Sequence, residues 1–235
     1  NIRSMLMTID LTNHVDNIDG LIVSLDAKKA FDSVDHNYIR KCFTAFGLEE
    51  FIPIFNILYK DLRSDIIINN KIINGYLILR GVKQGDALSC IIFIMCMEPL
   101  IRNIKANPEI EMIESRSLPV NIPKIYGFAD DINNIIKNTL KGVQEIFKEY
   151  EAFTNCSGLW LNADKTEILK FSNVNQNQSN FHVMYCGNQY DLSTTSEIKV
   201  NGIWFLQDKE LRERKNLERV MENMKKYLAA WSMRN

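Results

Sequence analysis

Apolar positions along this chain switch between a helical period and a strand period, and the switches mark out its elements. Ile2, Met5, Leu6, Ile9 and Val15 recur at approximately helical spacing, and residues 17–20 read as the break that follows. Leu21-Ile-Val-Ser-Leu-Asp26 is a short continuous apolar run, the mark of a buried strand, and it ends on a carboxylate. A turn at 27–32 leads to Asp32, Ser33 and Asp35, which open a helix at 36–46 in the manner of an N-cap; Gly47 closes it. Helical spacing resumes over 50–62 through Phe51, Ile54, Phe55, Leu58 and Leu62. Residues 65–69 and 71–79 then predict a hairpin around Asn69-Asn70.

In the middle of the chain, Gly81-Val-Lys-Gln-Gly-Asp86 leads into an apolar helix at 87–104. Residues 107–123 hold three of the five prolines and read as an irregular connection. In 124–136 apolar residues lead into Asp130-Asp131 and out again, so the aspartates sit at the tip of a hairpin of two short strands. An amphipathic helix at 141–153 and a turn at 155–158 precede Leu159 to Leu169, read as a loop and then a strand. The Asn/Gln/Ser-rich stretch 173–180 is the best internal boundary, and 181–186 and 197–205 look like further strands. The last helix, 209–231, repeats Leu217, Met221, Met224, Leu228 and Trp231 as one apolar stripe. Its other faces carry Arg212, Arg214, Lys215, Arg219, Lys225 and Lys226, a solvated surface or a contact for backbone phosphates.

Composition adds limits. With 235 residues, 46% hydrophobic and 24% charged, the chain suits one large or two small globular domains. The five cysteines are scattered, with no Cys-x-x-Cys, so they predict reduced core thiols rather than zinc ligands or a disulfide framework. No signal-peptide pattern is visible and the apolar run Cys90 to Met97 is too short to span a bilayer, which predicts a soluble, intracellular protein without a membrane partner. A net charge of −1 excludes binding of nucleic acid by bulk electrostatics and leaves only a local basic surface.

Candidate chemistry gathers at four places. Asp26 ends a buried strand, where a charge either caps the next turn or binds a cation. Asp130 and Asp131 repel one another unless a divalent cation lies between them; otherwise they are turn residues. The glycines of 81–86 let a flat ligand or a backbone approach beside a helix N-terminus, or form a plain turn with Asp86 as N-cap. Lys165 beside Thr166 is placed to protonate or screen a pyrophosphate, or is simply solvated. Asp32 reads as structural, and His36 as a helix-surface residue.

The order of these features carries more than each alone. Leu25-Asp-Ala-Lys-Lys-Ala-Phe-Asp-Ser-Val-Asp-His36, Gly81 to Ser89, Phe128-Ala-Asp-Asp131 and Gly158 to Ile168 resemble, in sequence, the four palm motifs of reverse transcriptases. The likeness is greatest to non-long-terminal-repeat (LINE-type) retrotransposons. It implies an α+β right-hand polymerase palm, an antiparallel sheet packed on helices, with part of the fingers and the first thumb-side helix. Residues 1–172 would be the fingers remnant and palm. Residues 173–235 would be the end of the palm and the helix leading to a missing thumb.

By the same resemblance Asp26, Asp130 and the Ala27 carbonyl hold two Mg²⁺ ions, which Mn²⁺ can replace, with Asp131 as supporting carboxylate and Lys165 as proton donor. Ala27, Lys28, Lys29 and Ala30 would cradle a deoxynucleoside triphosphate with their amides, and Phe31 would exclude a 2′-hydroxyl. Gln84 and Gly85 would line the incoming nucleotide and the template base. Gly202, Ile203 and Trp204 resemble the strand that grips the primer, with Asn201 in place of the usual leucine, and Ala87 and Cys90 stand where the family keeps prolines. The implied function is RNA-directed DNA synthesis on an RNA template from a DNA primer, in the nucleus or cytoplasm. Two alternatives remain: an inactive remnant that serves as an RNA-binding or interaction module, and an RNA-dependent RNA polymerase, against which Phe31 and Ala129 both argue.

Overall fold

The computed structural model describes residues 2–13, 18–114, 122–172 and 180–232. Val15, Asn17 of the predicted break, Pro119 and residues 173–179 of the polar stretch lie outside them; the rest of the break at 17–20 is shorter than expected, since β1 already begins at Asp19. The chain begins with α1 (Ile2–Asn13) and β1 (Asp19–Leu25), then the one-turn α2 (Ala30–Ser33), α3 (His36–Ala45) and α4 (Ile52–Tyr59). A hairpin of β2 (Arg63–Ile68) and β3 (Lys71–Leu77) follows, then the long α5 (Ala87–Ala106). Strands β4 (Ile125–Phe128) and β5 (Asp131–Lys137), helix α6 (Leu140–Ser157) and strand β6 (Glu167–Ser172) complete the first part. Beyond it come β7 (Asn180–Tyr185), β8 (Asn188–Thr195), the pair β9 (Glu197–Val200) and β10 (Ile203–Leu206), and α7 (Lys209–Ser232).

The main sheet has six strands in the order β4-β5-β1-β6-β8-β7. Its pairings are antiparallel except one: β6 meets β8 in parallel through Ile168↔Thr194 and Leu169↔Thr195, so the sheet is mixed rather than purely antiparallel. Strand β1 lies at the centre and is covered on both faces. Leu21, Val23 and Leu25 join the larger core with α3, α5 and α6, while Ile22 packs with Met5 and Ile9 of α1. Burial on both sides explains why this strand reads as a continuous apolar run, since no face needs polar residues.

Local chemistry sets the ends of the elements. Asp35, not Asp32, caps α3, accepting from the amides of Asn37 and Tyr38 at 2.7 and 3.0 Å. Asn69 and Asn70, with φ of 50° and 60°, form the left-handed pair that a tight hairpin demands. The strand expected over 197–205 is in fact another tight hairpin. Asn201 and Gly202 take φ of 47° and 80°, so the asparagine that departs from the family's leucine is the residue the turn requires.

Helix α5 corrects the expectation drawn from its apolar run. At 20 residues it is long and apolar enough to cross a membrane by length and composition alone. In the fold one face of it is buried, through Ile92, Phe93, Cys96, Met97, Leu100 and Ile104, while Ile91 and Ile94 are exposed. Near the start of helix α7, Arg212 is 3% exposed, donates to the Leu206 carbonyl and pairs with Asp10 of α1.

Candidate active site

The three acidic residues lie where β1 and β5 run out. Pairing of β1 with β5 ends at Leu25↔Ile132, so one further step places Asp26 opposite Asp131. Phe128 pairs with Asp131, which leaves Ala129 and Asp130 alone to make the turn. Ala129 has φ 53°, a left-handed conformation that disfavours a Cβ and costs roughly 1–2 kcal/mol. Asp131, expected as the supporting carboxylate, is thus the one aligned with Asp26. Asp130 stands in the adjoining turn, close enough for its charge to act on Asp131.

These carboxylates interact. Burial raises the Asp131 carboxyl above its ordinary value, and the nearby charges of Asp130 and Asp26 raise it further. A carboxyl raised in the folded state contributes stability below its unfolded-state value and loses it as pH rises through its folded-state value. Asp131→Asn is therefore expected to melt at a higher temperature than wild type at pH 7 without divalent cations. The difference should shrink as pH falls below about 3.9, where the aspartate too is neutral. Calorimetry at the two pH values checks this; a variant less stable than wild type at pH 7 would contradict the charge cluster.

Asp26 is held from behind by Leu159 to Asn162. Ala27 and Leu161 form an isolated antiparallel bridge, flanked by Lys28 N–H donating to the Trp160 carbonyl and Asn162 N–H to the Asp26 carbonyl, both at 2.7 Å. The Asn162 amide also donates to Asp26 Oδ2 at 3.1 Å. This pattern leaves the Ala27 carbonyl pointing away from the bridge. It also commits the Lys28 amide, one of those expected to cradle phosphates, to Trp160. Lys165 Nζ lies 3.9 Å from Asp26 Oδ2 and is mostly exposed, a weak pair easily exchanged for another anion.

An open cleft of about 550 Å³ runs along this segment, lined by Asp26, Lys28, Lys29, Trp160, Asn162 and Lys165. A neighbouring cleft is shared by Asp26, Asp131, Lys165 and Lys199. Four lysines, Lys28, Lys29, Lys165 and Lys199, thus stand beside the carboxylates along these two clefts.

Phe31 and the 81–86 turn are bound to one another. The Phe31 ring stacks on Phe93 at 4.5 Å, and the Phe31 carbonyl accepts from Val82 N–H at 2.6 Å. Gly81 N–H donates to the Val34 carbonyl at 2.8 Å, and a Cβ on Gly81 would stand 2.6 Å from backbone atoms of Phe31 and Asp32. Gly81 is therefore the glycine of close approach. At Gly85 an added Cβ would meet nothing within 4 Å. Gln84 is exposed and leans toward Asp32, with its amide 3.5 Å from Oδ1. Asp86 does cap α5, accepting from Leu88 N–H at 3.0 Å. His36 is no free surface residue: Nε2 meets the Gly81 carbonyl at 2.9 Å, and Phe55 and Tyr59 meet its ring edge-on.

Hard oxygen donors at the Asp26, Asp130 and Asp131 positions, with the Ala27 carbonyl beside them, suit Mg²⁺ by type. Among the described residues no three acidic, histidine or cysteine side chains close around a single point.

Residues 2–205 match the family described as Reverse transcriptase (RNA-dependent DNA polymerase). The chain belongs to the reverse transcriptase family. The Pol polyprotein of the type-1 retrotransposable element R2 of Popillia japonica is 27% identical over 154 residues, covering 65% of this chain and 25% of that protein. That of the type-2 element R2DM of Drosophila melanogaster is 30% identical over 145 residues, covering 61% of this chain and 13% of that protein. Such relatives place this reverse transcriptase domain among those of LINE-type elements. The domain spans a quarter or less of the length of these two relatives. Telomerase of Candida tropicalis, solved with a fragment of telomeric RNA, shares the fold at TM-score 0.52 and 14% identity, over 76% of this chain and 30% of that one.

In this reverse transcriptase fold Gly202, Ile203 and Trp204 lie on the β9–β10 hairpin. Trp204 pairs across it with Lys199, and the ring carries Lys199 Nζ at 5.4 Å and Lys215 Nζ at 3.7 Å. Asn216 of α7 fixes the Trp204 backbone, accepting its N–H at 2.9 Å and donating to its carbonyl at 3.0 Å. Asn162 and Tyr185 are the residues that sequence reasoning passed over. Asn162 lies inside a quoted motif, but its role shows only through its bond to Asp26.

Proposed function

We propose that this chain is the palm, with part of the fingers, of an RNA-directed DNA polymerase that adds deoxynucleotides to a primer 3′-hydroxyl on an RNA template during retrotransposition. The observation that carries the reading is the register of β1 against β5, which aligns Asp26 with Asp131 and sets Asp130 in the adjoining turn beside a lysine-lined cleft. Asp26, Asp130 and the Ala27 carbonyl hold the divalent ions, with Asp131 in support. Two bound Mg²⁺ ions, or Mn²⁺ in their place, would stabilise both the attacking and the leaving oxygen of an in-line displacement.

The chain's own residues do the rest. Lys28, Lys29 and the first-turn amides of Ala30 and Phe31 take up triphosphate charge, since the first amides of a helix have no partner within it. Phe31, fixed against Phe93, bars the ribose 2′-hydroxyl. Gln84 and Gly85 face the nucleotide and template base across open space. Lys165 breaks its loose pair with Asp26 to give a proton to departing pyrophosphate. Gly202 to Trp204 hold the primer end. Residues 1–172 make up palm and fingers remnant, and 173–235 lead from the palm toward a thumb. The reaction belongs inside the cell, in nucleus or cytoplasm.

The test is extension of a DNA primer on an RNA template by the full-length protein that carries this chain. Extension is expected with deoxynucleotides and Mg²⁺, lost on adding EDTA and regained with excess Mg²⁺. No extension under any of these conditions would favour the inactive remnant, and extension that survives chelation would refute the metal-holding roles.

A further inference from the structure

Asp26 depends on a side chain that none of the four motifs contains. Leu161 N–H, 1% exposed at the residue, donates to Tyr185 Oη at 2.8 Å, and Thr154 Oγ1 lies 2.9 Å from the same oxygen. Thr154 Oγ1 also faces the carbonyls of Tyr150 and Leu159 at 2.9 and 2.8 Å. The Tyr185 hydroxyl accepts from the Leu161 N–H and shares a second hydrogen bond with Thr154 Oγ1, in which either oxygen can be the donor. Phe147, Tyr150 and Trp160 hold its ring edge-on at 6.4, 6.3 and 6.5 Å, so the hydroxyl cannot swing away. Burial pushes its pKa up to about 12, which keeps the phenol neutral and able to make both bonds throughout the working pH range.

We infer that Tyr185 is a positioning residue for the Asp26 carboxylate: with Thr154 it fixes the Leu159–Asn162 segment, and Asn162 in turn fixes Asp26. Each link is a hydrogen bond or a backbone bridge. Tyr185 holds Leu161, Leu161 bridges Ala27, and Asn162 donates to both the Asp26 carbonyl and Oδ2. This role rests on Asp26 holding a divalent ion. Groups that orient metal ligands from behind commonly change metal affinity when removed, which sets the size of the effect.

Tyr185→Phe keeps the ring and deletes the hydroxyl, leaving a buried N–H unpaired. Hydrogen exchange at Leu161, Asn162 and Lys28 is expected to quicken about tenfold or more, with Val23 and Ile135 unchanged. Mn²⁺ affinity, read by electron paramagnetic resonance, is expected to fall roughly tenfold. Thr154→Val, of similar shape, should move both readouts in the same direction if Tyr185→Phe folds poorly. Unchanged exchange, exchange quickened equally at Val23 and Ile135, or unchanged Mn²⁺ affinity would each overturn the inference. Asp26→Asn separates the two readings. If it weakens Mn²⁺ binding while Tyr185→Phe does not, only the positioning role fails; if it binds Mn²⁺ like wild type, the metal assignment fails and the positioning role with it.

Discussion

Asp130→Asn and Asp26→Asn are each expected to lower Mg²⁺-dependent primer extension on an RNA template by on the order of 10³-fold or more, with the fold intact. The carboxamide keeps the shape of the carboxylate and removes its charge, so the loss reads electrostatics and not packing. Asn at position 26 still offers an oxygen to the Asn162 amide, which at present donates to Asp26 Oδ2 at 3.1 Å. Both aspartates are half-buried, and each stands among like charges that raise the Asp131 carboxyl. Removing one charge therefore relieves repulsion, and melting temperatures should not fall. Single-nucleotide addition under saturating substrate is the measurement. An Asp130→Asn protein within tenfold of wild type would sink the assignment, and a smaller loss in Asp131→Asn than in the other two is expected of a supporting group.

Phe31→Ala is expected to reduce discrimination against ribonucleotides by on the order of 10²-fold, the range in which a pocket's shape discriminates between closely similar substrates. Its ring is not free to move aside: it stacks on Phe93 at 4.5 Å, and Val82 N–H holds its carbonyl at 2.6 Å. A ring fixed from behind and below can refuse an added hydroxyl, whereas a mobile one would yield. The same contact makes the substitution costly, about 2–3 kcal/mol for a partly buried phenyl group. Phe31→Leu, which keeps some of that packing, should fall between wild type and alanine in both stability and selectivity. The readout is the ratio of kcat/KM for a deoxynucleotide to that for its ribonucleotide. Equal ratios in wild type and Phe31→Ala would end the gate assignment.

Elements with strong local signals were legible in the chain. The helical spacing of 209–231 became α7, the apolar run after Leu21 became β1, and Asn69-Asn70 became a tight turn. What escaped was non-local. Strand β8 reads as polar because it buries only Leu192 fully, and its parallel pairing with β6 has no signal in either segment. Asp32 and Asp35 are equally good caps in sequence, and only the path of the backbone chose Asp35. The candidate site was legible as a set of residue types in order. Which carboxylate stands opposite Asp26 depends on strand register, and the bonding of Tyr185 depends on how a late strand packs beneath an earlier loop.

The central place of β1 has a consequence for how the protein is made. Leu21 pairs with Ile136 on one side and Lys170 on the other, both far downstream. At about 5–20 residues per second, β1 emerges from the ribosome on the order of ten seconds before either neighbour exists. Throughout that interval an apolar strand with two open edges is exposed to every other nascent chain nearby. The strand that leads into Asp26 is thus the one in the main sheet that waits longest for its partners.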